Sequence, residues 1–187
     1  MAFDRLTWRI GAPFVLLVLA TTVFLTLLSG VSFLSNQREH FKSEAFARYV
    51  SALGVGLIPF APGTWGSLAG LILVLLTQFN DLLFFSTFLF LVLSGWWAVS
   101  GLDLSVEKDP FFVVVDEACG MFVVLMGIPL TWGSCLLGFA LFRLFDVWKP
   151  WPVRRLEKYP GYWGILADDL GAGFYAWLLL FFFYRVP

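Results

Sequence analysis

Five carboxylates and two cations stand where this chain is otherwise nearly free of charge, and their spacing sets the chemistry open to it. Asp116 and Glu117 lie in Phe111-Phe112-Val113-Val114-Val115-Asp116-Glu117-Ala118-Cys119-Gly120-Met121, apolar on both sides. Arg143, Asp146 and Lys149 recur every three residues up to Pro150, which keeps all three near one face of a helix that the proline ends. Asp168 and Asp169 open the last apolar run. An ionisable group at the centre of a membrane helix is disfavoured by roughly 2.5 to 3.5 kcal/mol, so each must be compensated. A salt bridge to a neighbouring helix is the plain compensation, and a bound cation at a functional site is the chemical one. Arg143, Asp146 and Lys149 also fit a salt-bridged interfacial turn, and either aspartate of the last pair fits a helix cap, with Gly164 before them letting backbone come close. Pro59-Phe60-Ala61-Pro62-Gly63-Thr64-Trp65-Gly66-Ser67 is a Pro/Gly turn entering a helix. Its amides and the Thr64 or Ser67 hydroxyl suit either an anion site or a capped loop that binds nothing.

An all-oxygen ligand set without histidine or cysteine suits a hard cation, and Mg2+ commonly bridges carboxylates to a substrate phosphate. A metal-assisted phosphate reaction at the level of lipid head groups follows, with a cation channel or transporter as the competing class. Other chemistries are excluded by composition. His40 is the single histidine and sits in the polar stretch Asn36-Gln37-Arg38-Glu39-His40, which removes Ser-His-Asp triads, histidine-based phosphatases and histidine-rich zinc sites. Neither Cys119 nor Cys135 has an arginine six residues later, so a cysteine phosphate loop is disfavoured, and no GxxxxGK[ST] pattern is present. A net charge of −1 offers no basic excess for nucleic acid.

The elements that position these groups follow from where charge is missing. With 60% hydrophobic and 13% charged residues among 187, the chain is no ordinary water-soluble globule. Charge-free runs cover residues 10–37, 49–80, 82–102, 118–142 and 170–184, and a bilayer span needs about 20 apolar residues. The expected fold is therefore an all-α, polytopic integral membrane bundle with a broken or re-entrant helix near residues 57–67. Helices are expected over 65–78, 82–102, 111–128, 130–148 and 168–184, preceded by a retained N-terminal helix with Arg5 and Arg9 in front. Residues 1–48 would form an anchor and polar linker, and 49–187 the helical domain. Alternating hairpins then bring the polar segments 57–67, 103–117 and 143–169 to one face. Nine of the twelve Lys and Arg residues fall on that side, so the positive-inside rule assigns it to the cytoplasm.

Four segments carry a family resemblance: Pro62-Gly63-Thr64-Trp65-Gly66-Ser67, Asp116-Glu117-Ala118-Cys119-Gly120-Met121, Phe142-Arg143-Leu144-Phe145-Asp146 with Lys149-Pro150, and Gly164-Ile165-Leu166-Ala167-Asp168-Asp169. In this order they resemble the blocks of phosphatidylglycerophosphatase A, over roughly residues 49–187. The resemblance implies a Mg2+-dependent phosphatase of the bacterial inner membrane, multi-pass and facing the cytoplasm, that converts phosphatidylglycerophosphate to phosphatidylglycerol. Its partner would be an anionic phospholipid in the bilayer. Asp116, Glu117, Asp146, Asp168 and Asp169 correspond to the family's acidic positions, which serve as metal ligands and catalytic groups, and Arg143 and Lys149 to its basic ones. Gly63 and Thr64 are expected at the phosphate or the glycerol. Attack by water and an aspartyl-phosphate at Asp146 or Asp116 both remain open. Trp65, Trp148 and Trp163 are bulkier than a typical member's residues and are expected to narrow or shift the head-group pocket.

Overall fold

Proline, glycine and a few capping side chains decide where the helices begin. The computed structural model describes residues 44–102 and 110–185, so the expected first helix, His40 and the stretch 103–109 lie outside the described residues. Among the described residues every regular element is helical. They are α1 (Glu44–Ser51), a 3-10 turn (Val55–Leu57), α2 (Pro62–Thr77), α3 (Asp81–Val99), α4 (Val115–Leu125), α5 (Trp132–Trp148), α6 (Val153–Leu156) and α7 (Tyr162–Arg185). The break expected near 57–67 is present, and the helix after it restarts at Pro62, three residues before Trp65. Ala61 takes a left-handed conformation with φ 48°. Pro62 follows within the first turn of α2, where a missing N–H has no helical partner to lose. At the other ends, the Asn80 side chain accepts from the Leu83 amide at 3.1 Å, and Thr131 and Ser134 form a reciprocal capping box at the start of α5.

Two helix starts differ from the sequence expectation by four residues or more. α4 begins at Val115 rather than 111, because the Val114 amide donates to the Ser51 carbonyl at 3.0 Å and Val113 to the Pro110 carbonyl at 2.8 Å. Asp116 and Glu117 therefore occupy the first turn of a helix, where the positive end of the dipole favours carboxylates, rather than its centre. α7 begins at Tyr162, just after Gly161 with φ 65°, and runs through Gly164. Asp168 and Asp169 are thus in its second turn and neither caps it. Gly164 does admit a close backbone approach, by the Tyr159 carbonyl.

The short helix α4 is the centre of the bundle and packs on α2, α3, α5 and α7. Met121, Phe122 and Val124 are wholly enclosed. Outward faces are apolar: Leu82 and Phe90 on α3, Leu136 on α5 and Phe182 and Phe183 on α7 are exposed. Asp81–Val99 and Tyr162–Tyr184 are long and apolar enough to cross a membrane, and Pro62–Thr77 is a shorter apolar helix. Where a helix surface is apolar all round, burial gives little reason to pair with one neighbour over another, and close backbone approach through small residues takes over. At the α4–α7 crossing a Cβ on Gly173 would lie 2.7 Å from the Gly120 carbonyl oxygen. Gly173→Val should therefore destabilise the fold by about 1–3 kcal/mol, read as a lower unfolding midpoint in detergent; an unchanged midpoint would show that this crossing is loose.

Candidate carboxylate site

Consecutive helices α2, α3, α4, α5 and α7 alternate in direction, and the alternation collects the chemistry at one end. Gly63 in the first turn of α2 faces Glu117 in the first turn of α4 and Arg143 near the end of α5: a Cβ at Gly63 would overlap Glu117 Oε1 and lie 3.0 Å from Arg143 Nη1. Gly95 near the end of α3 lies against Tyr162 and Val115, which start α7 and α4. At the opposite end a cavity of about 500 Å³ opens between Val74, Gln78, Phe84, Leu125 and Pro129, away from all of these groups.

Asp116, Glu117 and Asp169 form the heart of the site, each offering a carboxylate oxygen, and the three oxygens lie within 4.8 Å of one another. Asp116 and Asp169 are each only 4% exposed. Glu117 Oε2 and Asp169 Oδ2 are enclosed and receive no hydrogen bond. A buried acceptor left without a donor costs about 1–3 kcal/mol, more when charged. That arrangement suits a cation. Ligands of a small octahedral ion at about 2.1 Å stand at most about 4.2 Å apart, so these oxygens need to close by only about half an ångström. The three carboxylates can therefore hold a metal ion, and an oxygen-only set selects a hard one.

The remaining expected residues stand around this core in ion pairs. Asp146 lies against Asp169 and is bound by Arg143 at 2.5 Å, three residues before it on α5. Asp168 is bound by Lys149 at 2.5 Å, and Lys149 also pairs with Glu157. Ion pairs thus compensate Asp146 and Asp168, and Asp116, Glu117 and Asp169 form a three-oxygen cluster that could hold a cation. Lys149 is the left-handed C-cap of α5 with φ 47°, a conformation usually left to glycine. Pro150 disfavours a right-handed helical Lys149, and the cap turns its side chain back toward α7. Burial alone would lower the lysine pKa, but its hydrogen bonds to Asp168 and Glu157 win and raise it above the usual value. The pair is therefore at full strength below the ordinary lysine range and weakens only as pH rises through the raised one.

Thr64 is half-buried beside Gly63, and its amide donates to the Ala61 carbonyl at 3.0 Å, which leaves its hydroxyl rather than its amide for a ligand. The Ser67 hydroxyl is spent on the Gly63 carbonyl at 2.7 Å. Trp65, Trp148 and Trp163 are all exposed. Sequence reading passed over two residues. Glu157 holds Lys149. Tyr162 is buried with its hydroxyl near Asp116 and Asp169. No local signal marks either one. Gly63→Ala should leave α2 folded, since alanine is the better helix former, but displace Glu117. The gain in melting temperature on adding a divalent cation should shrink or vanish in that variant; an undiminished gain would remove Gly63 from the site.

The sequence matches one protein family over most of its length. The family model described as Phosphatidylglycerophosphatase A matches residues 49–184. The chain is 43% identical over 134 residues to phosphatidylglycerophosphatase A of Haemophilus influenzae, covering 68% of this chain and 82% of that protein. It is 36% identical over 134 residues to phosphatidylglycerophosphatase A of Escherichia coli, covering 69% and 77%. A Bacteroides thetaiotaomicron protein with the provisional name phosphatidylinositol-3-phosphatase is 37% identical over 139 residues, covering 70% and 87%. No solved structure matches the chain.

Proposed function

Because the chain belongs to the phosphatidylglycerophosphatase A family, we propose that it hydrolyses the terminal phosphate monoester of phosphatidylglycerophosphate, giving phosphatidylglycerol and inorganic phosphate with Mg2+ as cofactor. Membership of that family makes it a phosphatase; the lipid and the metal are the proposal. The observation that carries it is the three-carboxylate cluster, with enclosed oxygens of Glu117 and Asp169 that receive no hydrogen bond.

Asp116, Glu117 and Asp169 would hold the ion, with Asp146 and Asp168 extending the acidic set around it. Held there, Mg2+ would neutralise charge on the phosphate and polarise a water. A carboxylate of the set takes the water's proton as the new O–P bond forms. The bond from phosphorus to the lipid glycerol oxygen breaks, and that oxygen receives the proton. Arg143 contacts non-bridging phosphate oxygens with its planar fork, and Lys149 contributes a point charge while tethering Asp168. The Gly63 backbone and Thr64 hydroxyl approach the phosphate or the glycerol. Phosphoryl transfer rests mainly on positioning and charge neutralisation, so these groups suffice in kind.

We further propose a multi-pass protein of the bacterial inner membrane with the site at its cytoplasmic face. Arg143, Lys149, Arg154, Arg155 and Lys158 all belong to the site end of α5 or to the segment between α5 and α7, as the positive-inside rule requires. Residues 1–48 would act as anchor and linker, their last residues entering α1, where Phe46 meets Trp97 edge to face at 5.8 Å. A second lipid phosphate is the alternative reading, favoured by the name of the Bacteroides relative. The test is phosphate release in mixed micelles from phosphatidylglycerophosphate, beside phosphatidylinositol 3-phosphate and phosphatidic acid. The first should be the best substrate, release should stop with EDTA and return with Mg2+, and Asp146→Asn and Asp169→Asn should abolish it while leaving folding intact. Full turnover in either variant would remove that residue from the chemistry, and preference for another lipid would move the substrate assignment.

A further inference from the structure

The segment between α5 and α7 carries charge that the catalytic reading does not use. Arg154, Arg155 and Lys158 are exposed on it, and among the described residues none of the three forms an ion pair. The segment's one acid, Glu157, is committed to Lys149. Solvent-exposed cations on a mobile loop would mean little, but this segment is fastened at several points. Val153 is buried, and a Cβ at Gly171 of α7 would meet both Val153 and Leu156 at 3.1 Å. The Tyr175 hydroxyl donates to the Trp151 carbonyl at 3.1 Å, and Lys149 joins Glu157 to Asp168. The segment is therefore fixed to α7 at Asp168 and along the two turns that follow it.

Its exposed surface mixes those cations with aromatic rings. Trp151 is 71% exposed and Tyr159 61%, and the Arg155 guanidinium lies 5.6 Å from the Trp151 ring centroid. Rings of this kind settle at the boundary between hydrocarbon and head groups, and arginine and lysine beside them are attracted to anionic lipid. We propose that residues 151–159 form a docking surface for the head groups of anionic phospholipid, distinct from the carboxylate site, which concentrates such lipid at the catalytic end. This rests on the lipid-phosphatase reading and adds a lipid-binding surface that performs no chemistry. Unpaired cations on a fixed, aromatic-rimmed lip complement a plane of phosphodiester charge.

The test uses the full chain and a triple variant, Arg154→Gln with Arg155→Gln and Lys158→Gln, beside a charge-keeping variant, Arg154→Lys with Arg155→Lys and Lys158→Arg. Each is purified from micelles holding equal amounts of phosphatidylglycerol and phosphatidylcholine, and the retained lipids are quantified by mass spectrometry. The wild type should retain phosphatidylglycerol several-fold over phosphatidylcholine, the glutamine variant should lose that preference, and the charge-keeping variant should retain it. In turnover, the glutamine variant should raise the KM in mole fraction of phosphatidylglycerophosphate several-fold with kcat unchanged. High salt, where the Debye length falls to about 3 Å at 1 M, should erase the difference. Equal retention by wild type and glutamine variant would overturn the surface even if turnover is normal. Loss of retention in a variant of a protein that turns over no phosphatidylglycerophosphate would support the surface and overturn the catalytic reading instead.

Discussion

Mutual repulsion among buried carboxylates is the constraint on which this structure turns. Asp116, Glu117 and Asp169 bring oxygens within 4.8 Å of one another. Two charges at that separation repel by roughly 3.5 kcal/mol even at an effective dielectric of about 20. Three such pairs would be a serious burden for a chain whose whole stability is of the order of 10 kcal/mol. Positive potential gathered around the cluster relieves that repulsion. The first turn of α4 supplies some through its dipole, and Arg143 and Lys149 supply more through their pairs with Asp146 and Asp168. A divalent cation held among the three oxygens, as proposed, would complete the balance.

That need explains the shape of the bundle. The carboxylates must meet at one depth while hanging from α4 and α7, so these helices have to approach closely, and glycines rather than large side chains line the crossing. Gly120 and Gly173 bring backbone to backbone, and Gly63 leaves room for the Glu117 carboxylate and the Arg143 guanidinium. α4 is short because its first residues are needed as an end rather than a middle. The chain before it is tied to α1 by the Val114 to Ser51 hydrogen bond instead of continuing the helix. The break before Pro62 and the left-handed Lys149 serve the same end of the molecule, one admitting backbone to the site and the other turning a cation back into it.

Much of this was legible in the sequence. The apolar runs pointed to the helical class, and the carboxylates stranded in them marked the residues that α4, α5 and α7 bring together. Helix ends were less legible, for specific reasons. Phe111-Phe112-Val113-Val114-Val115 is apolar throughout, and periodicity cannot tell a buried helix from a buried loop when the deciding hydrogen bond comes from Ser51, sixty-three residues earlier. Asp168 and Asp169 looked like a helix start because aspartate favours caps, but Gly161 ends the preceding turn and the helix is already under way when it reaches them. Glu157 and Tyr162 owe their positions to contacts from Lys149 and α3, which no local pattern encodes.

Occupation of the carboxylate cluster by a divalent cation is the claim on which the rest stands, and Mn2+ reports it directly through its paramagnetic resonance. Titrated into EDTA-stripped full-length protein in detergent, Mn2+ should lose its free-ion signal saturably and be displaced by Mg2+. Glu117→Gln, folded to the same melting profile without metal, should bind at least about tenfold more weakly. Equal uptake by the wild type and Glu117→Gln, or none by either, would contradict a metal centre built on Asp116, Glu117 and Asp169.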